Sequence, residues 1–163
     1  MSQVMKSLII DNFFDNVSYV IDEINKLEFY SVKQFNNKFN ENQTWPGTRT
    51  EILPRVNTKL SEYIIQQFFT KAKNFLNPQD LSVEMYAHKR DKKYLKKDWI
   101  HNDVPVADYT CLIYISKTNL KSGTKFYNIK KKVILDVAFF QNRCLMFDAR
   151  YLHKAYGHHD GRT

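Results

Sequence analysis

The chain is 163 residues long, 43% hydrophobic, and carries a formal charge of +8. That length fits one domain with an ordinary core, and no apolar stretch is long enough to span a bilayer, so membrane insertion is not expected. Two cysteines with no Cys-x-x-Cys spacing argue against a disulfide scaffold and for free thiols in a reducing compartment.

The first apolar run, Leu8-Ile9-Ile10, reads as a strand and is too short for a signal peptide, which makes cytoplasmic residence the expectation. A cap near Asp11 to Asp15 precedes a helix over Val17 to Phe29, with Val17, Val20, Ile21, Ile24 and Leu27 on one face. Trp45-Pro46-Gly47-Thr48-Arg49 is a turn by its Pro-Gly step; its Trp either helps hold a substrate from an exposed position or packs under the barrel. A second helix runs from Asn57 to Leu76, where Leu60, Ile64, Phe68, Ala72 and Phe75 recur at helical spacing, and Asn77-Pro78 stops it.

After Pro78 the pattern changes to short runs suited to strands: Leu81 to Tyr86, Tyr109 to Ser116, Thr124 to Ile129, Lys132 to Ala138 and Cys144 to Phe147. Cys111 and Cys144 fall inside such runs and read as small buried hydrophobes. Lysines crowd into Lys89 to Lys97, Lys117 to Lys125 and Lys130-Lys131-Lys132; these are solvated faces that also attract anionic ligands.

The chemistry concentrates in His101-Asn102-Asp103 and, about fifty residues later, His153. Residues two apart lie on one side of an extended strand, so His101 and Asp103 can face one ion, and His153 can return from an opposite strand to join them. Two imidazoles and one carboxylate on one face of a metal ion form the facial set of non-haem iron(II) oxygenases, with further positions left open. Arg162 follows a short step beyond His153, where a guanidinium can grip a carboxylate in a bidentate manner. A second His-x-Asp, His158-His159-Asp160, sits between Gly157 and Gly161 and reads as a solvated turn.

Over about its last eighty residues the sequence resembles the Fe(II)/2-oxoglutarate-dependent oxygenases of the prolyl-hydroxylase-like branch. Five landmarks come in order: Val83-Glu84-Met85-Tyr86; Trp99-Ile100-His101-Asn102-Asp103; the strand Tyr109 to Ser116; Ser122-Gly123-Thr124-Lys125-Phe126-Tyr127, similar to a small-residue turn leading into a strand; and Asn142 to Phe147 through His153 to Arg162. The resemblance implies an α+β, mainly β fold: a double-stranded β-helix, or jelly roll, over about residues 79–163, with helices of about residues 1–78 packed outside it as one domain. It further implies iron(II) on His101, Asp103 and His153, 2-oxoglutarate as cosubstrate with its distal carboxylate on Arg162 and Tyr114, Tyr86 close to the cosubstrate and iron, and ascorbate as an accessory reductant. Members continue past the arginine with a further strand, whereas this sequence ends at Thr163. The expectation is therefore a barrel whose last strand is missing or supplied by another segment or a partner chain.

The activity so implied is hydroxylation of an unactivated C–H bond, the branch pointing to a prolyl or other protein side chain as substrate. The lysine runs leave nucleic acid open as a substrate. Two alternatives stand beside this reading: a cupin-like metalloenzyme that uses the same three ligands without 2-oxoglutarate, and a non-enzymatic basic module whose histidines are structural.

Overall fold

The computed structural model describes residues 6–75, 82–90 and 99–157. In chain order the elements are β1 (Ser7–Ile10), α1 (Val17–Asn25), β2 (Tyr30–Ser31), α2 (Val32–Phe39), β3 (Thr48–Arg49), α3 (Leu53–Val56), α4 (Thr58–Ala72), β4 (His88–Lys89), β5 (Tyr109–Tyr114), β6 (Asn119–Tyr127), β7 (Val133–Phe139), β8 (Arg143–Asp148) and β9 (Leu152–Tyr156). The chain divides into two compact units, Met1–Phe13 with Leu95–Thr163, and Phe14–Tyr94. The architecture is α+β and mainly β, with three antiparallel sheets among the described residues. No helix among those residues is long and apolar enough to cross a membrane.

The first unit contains two three-stranded sheets, ordered β1-β8-β5 and β7-β6-β9. β8 lies between two partners, and its residues Cys144 to Phe147 are all buried, which is why they form an unbroken apolar run and not an alternating one. Pairing of Ser7 to Ile10 with Phe147 to Cys144 draws the N-terminal strand into this unit, apart from the helices that follow it in sequence. Alternation along β5 and β8 sends Leu112, Tyr114, Leu145 and Phe147 to one face, where they pack with Phe126 of β6 and Leu135, Val137 and Phe139 of β7. Full burial of each of the two phenylalanines, Phe126 and Phe147, stabilises the unit by about 1.5–3 kcal/mol.

Gly123 lies within β6 at a register shift against β7, not in a turn before a strand. A Cβ there would stand 2.1 Å from the Val137 carbonyl oxygen, so the close approach of the two strands requires the missing side chain.

In the second unit, α1 stops at Asn25, short of Phe29, because the Lys26 N–H turns back onto the carbonyls of Glu23 and Ile24. α2 was not anticipated, although Ser31 and Gln34 form a capping box that fixes its first turn. α4 begins at the Asn57 cap and ends at Ala72, four residues before the expected end. The described part of the expected Leu81-to-Tyr86 strand is irregular. Its Met85 carbonyl, and that of Ala87 just beyond it, serve the segment after β3: Leu53 N–H donates to Met85 O at 2.8 Å, and Thr50 N–H to Ala87 O at 3.0 Å. Trp45 is buried and not exposed; it packs within the second unit against Phe35, with the Arg49 guanidinium 4.7 Å above its ring.

Candidate metal centre

His101 and His153 face each other across an isolated antiparallel bridge. The His101 N–H donates to His153 O at 3.0 Å and the His153 N–H to His101 O at 2.7 Å, so two residues remote in sequence are clamped through their main chains. Two residues on, the Asp103 N–H donates to Ala149 O at 2.9 Å, and the Asp103 carbonyl accepts from Val106 and Ala107 to close a turn behind the motif. Both rings and the carboxylate thus emerge from backbone that is already paired.

Ring orientation follows from two further bonds. Nδ1 of His101 lies 2.9 Å from Trp99 O, and Nδ1 of His153 lies 3.0 Å from Tyr151 O. A carbonyl only accepts, so each Nδ1 carries the hydrogen, and in the neutral form of either ring Nε2 is the metal-binding nitrogen. Those nitrogens point to one place: His101 Nε2 is 3.7 Å from Asp103 Oδ1, and His153 Nε2 is 3.6 Å from Asp103 Oδ2. Such separations are too long for hydrogen bonds. They lie just beyond the roughly 3.3–3.6 Å between tetrahedral donors on one cation with ligand bonds of about 2.0–2.2 Å, so a small side-chain adjustment would let the three residues share an ion.

One ligand atom from each of the three residues lies within 4.8 Å of the others, the one such group of His, Cys, Asp or Glu found among the described residues. The donor set, two neutral imidazoles and one carboxylate, suits a divalent first-row metal and leaves coordination positions free. Thr110 Oγ1 donates to Asp103 Oδ2 at 2.5 Å, so the carboxylate is oriented by a neighbour as the imidazoles are by carbonyls.

The centre has a closed side and an open one. His153 is buried, with the Phe147 ring 4.8 Å and the Phe126 ring 6.0 Å from its own centroid. His101 is partly exposed, and its neighbour Trp99, 5.9 Å away between ring centroids, is 47% exposed.

Tyr114, on β5, is buried in the same core cluster as Phe126 and Phe147, stacked at 4.3 Å on Phe139, and its hydroxyl donates to Thr124 Oγ1 at 2.7 Å. Burial pushes its phenol up to about 12, so it remains a neutral donor across the physiological range. Tyr86 belongs to the other unit, where its ring lies 4.8 Å from the Arg49 guanidinium and its hydroxyl donates to Glu84. Burial first, and Glu84 second, raise its phenol above the ordinary range. Arg162 and the His158-His159-Asp160 stretch lie outside the described residues.

Sequence reasoning missed Thr110 and Thr124. Thr110 was accessible in principle, since it shares strand parity with Leu112 and Tyr114 on β5; Thr124 needed the pairing of β6 to be known. Of the two thiols, Cys144 on the central strand β8 is buried as expected, whereas Cys111 on the edge strand β5 is exposed. No protein-family model matches the chain, and no curated protein matches it.

Proposed function

We propose that this protein is an Fe(II)- and 2-oxoglutarate-dependent oxygenase that hydroxylates a protein side chain, built on a double-stranded β-helix. The observation that carries the reading is the convergence of His101, Asp103 and His153 with both Nε2 atoms turned toward the carboxylate. The facing sheets β1-β8-β5 and β7-β6-β9, with the triad beside their shared core, support the barrel. The ordered sequence landmarks support the choice of cosubstrate.

Iron(II) held by His101, Asp103 and His153 together with 2-oxoglutarate would supply hydroxylation of an unactivated C–H bond with dioxygen as the oxidant, one oxygen atom entering the substrate and the other the succinate, with carbon dioxide released. The chain's own part is binding, orientation and exclusion of water. His101, Asp103 and His153 hold the ion, and the Trp99, Tyr151 and Thr110 contacts keep their donor atoms aimed. Phe126 and Phe147 keep the His153 side dry. Tyr114 offers a neutral hydroxyl to the distal carboxylate of the cosubstrate, exchanging its bond to Thr124 for a charge-assisted one, and Arg162 completes that grip. The substrate approaches from the exposed side marked by His101 and Trp99.

Anaerobic addition of iron(II) and then 2-oxoglutarate to the folded chain tests this. A visible charge-transfer absorption that needs both components is the expected result. Metal binding without any such band would instead mark a metalloenzyme that does not use 2-oxoglutarate, and no metal binding would remove the oxygenase reading.

A further inference from the structure

Cys111 on β5 and Cys144 on β8 stand in diagonal register, Cys111 opposite Met146 and Cys144 opposite Ile113. Strand parity places both thiols on the face turned away from the core that holds Leu112, Tyr114, Leu145 and Phe147. There the two sulfurs approach to 3.4 Å, in contact but unbonded. Their access differs: Cys111 is exposed and Cys144 is buried. The hydrogen bond shared with Cys111, and burial after it, raise the Cys144 thiol far above the ordinary range, so it is protonated in the reduced protein. An accessible sulfur backed by a buried one at this distance has the layout of an attacking and a resolving cysteine.

We infer that Cys111 and Cys144 form an oxidation site, at which a peroxide converts the two thiols to a reversible intramolecular disulfide that loosens the grip of the neighbouring metal centre. The Cys111 thiolate attacks hydrogen peroxide, so that an S–O bond forms, the O–O bond breaks and hydroxide leaves. That hydroxide takes the Cys144 proton to give water, and the Cys144 thiolate attacks the sulfenic sulfur; the S–S bond forms, the S–O bond breaks, and the second hydroxide leaves to become water with the proton that Cys111 first released. Two thiols and one peroxide thus yield one disulfide and two waters, and a small dithiol returns the pair to the reduced form.

Diagonal partners in a sheet lie about 7–8 Å apart, whereas bridged cysteines usually have Cα atoms about 4.4–6.8 Å apart. Closure therefore draws β5 and β8 together locally, and a bridge made under such strain is readily reduced. The movement reaches the metal centre by two short paths. Thr110, next to Cys111 on the opposite face of β5, holds Asp103 Oδ2 at 2.5 Å. Phe147, on the core face of β8, packs 4.8 Å from the His153 ring. The oxidation site stands on the cysteines alone, while its effect on the ion rests on the metal-centre reading.

The test treats the reduced full chain with hydrogen peroxide, blocks remaining thiols, and reads intact mass and linked peptides, followed by cobalt(II) titration of both forms. The expected result is a loss of two hydrogens, a Cys111–Cys144 linkage reversed by dithiothreitol, and cobalt(II) affinity lowered about tenfold in the oxidised form. Cys111→Ser, and independently Cys144→Ala, should keep cobalt(II) affinity unaltered by peroxide. Oxygen addition at Cys111 with no internal linkage, or linkage only between two chains, overturns the oxidation site. A linkage that leaves cobalt(II) affinity unchanged overturns the coupling. If the reduced chain binds no cobalt(II), the metal centre and the coupling both fail, and the mass measurement still decides the disulfide.

Discussion

His101 and His153 exchange both main-chain hydrogen bonds, at 3.0 and 2.7 Å, and their rings lie 4.4 Å apart between centroids. Because the backbone sets that distance, the two imidazoles are brought together before any ion arrives. Asp103, two residues along from His101 and tied to Ala149, then needs only a side-chain rotamer to face both. A centre assembled this way loses little conformational entropy when it takes up a metal.

Divalent metal should therefore stabilise the fold. Ligand at a hundredfold excess over its dissociation constant adds about 2.7 kcal/mol. We expect manganese(II) to raise the midpoint of thermal unfolding by several degrees, and Asp103→Ala or His101→Ala to abolish the rise while leaving the metal-free midpoint nearly unchanged. Differential scanning fluorimetry with and without metal measures this, and a rise that survives both substitutions would place the ion elsewhere.

Thr110→Val keeps the shape and strand preference of β5 but removes the hydroxyl that orients Asp103. Loss of an outer-shell partner of this kind weakens metal affinity by about 10–100-fold. Thr110→Ser should restore most of it. Isothermal titration with manganese(II) separates this from a folding defect, because the Val variant should retain the circular dichroism spectrum of the parent.

How far the centre was readable depended on the distance along the chain that each feature spans. That His101 and Asp103 can face one side follows from extended backbone, a local rule, whereas their choice as ligands rested on the order of motifs downstream, and of the two the structure pairs only His101 in a bridge. Assigning His153 required the order of motifs, since its bridge to His101 is a pairing between distant segments. The capping box of Ser31 and Gln34 is a local signal, yet α2 is short and buries only Phe35, so no periodic apolar run marks it. Trp45 could not be placed from its Pro-Gly turn, because its burial depends on Phe35 and Arg49 arriving from other elements. The supposed strand before Ala87 had a suitable apolar pattern, but its hydrogen-bonding partners lie in an irregular segment, which pattern does not report.

Acid should weaken the turn that delivers His153. The Asp148 carboxylate, on a side chain only 10% exposed, accepts from the Arg150 main-chain N–H at 3.0 Å and from Arg150 Nε at 2.8 Å. The Arg150 hydrogen bonds hold its carboxyl below the ordinary value of 3.8. A depressed folded-state value means that the contribution is fully present above pH 3.8 and is lost as pH falls from there through the folded value. Asp148→Asn should lower stability at neutral pH by about 1–3 kcal/mol and flatten the fall in stability below about pH 4. Urea unfolding from pH 3 to 7 reads both effects, and an unaltered acid slope would show that other carboxylates govern it.

Tyr114 offers the sharpest separation of metal binding from cosubstrate binding. Its hydroxyl is bonded to Thr124, not to any triad side chain, so removing it should leave the ion untouched. Tyr114→Phe keeps the ring stacked on Phe139 and the packing with Phe126 and Phe147, and should cost about 0.5–1.5 kcal/mol of stability for the lost bond. Tyr114→Ala is a poorer probe, because the cavity would cost about 3–5 kcal/mol. A hydrogen bond to a carboxylate contributes about 1.5–3 kcal/mol, so 2-oxoglutarate affinity in the Phe variant should fall at least about tenfold with manganese(II) affinity unchanged. Equal 2-oxoglutarate affinity in the Phe variant and the parent would mean that the Tyr114 hydroxyl does not contact the cosubstrate and serves only the core through Thr124.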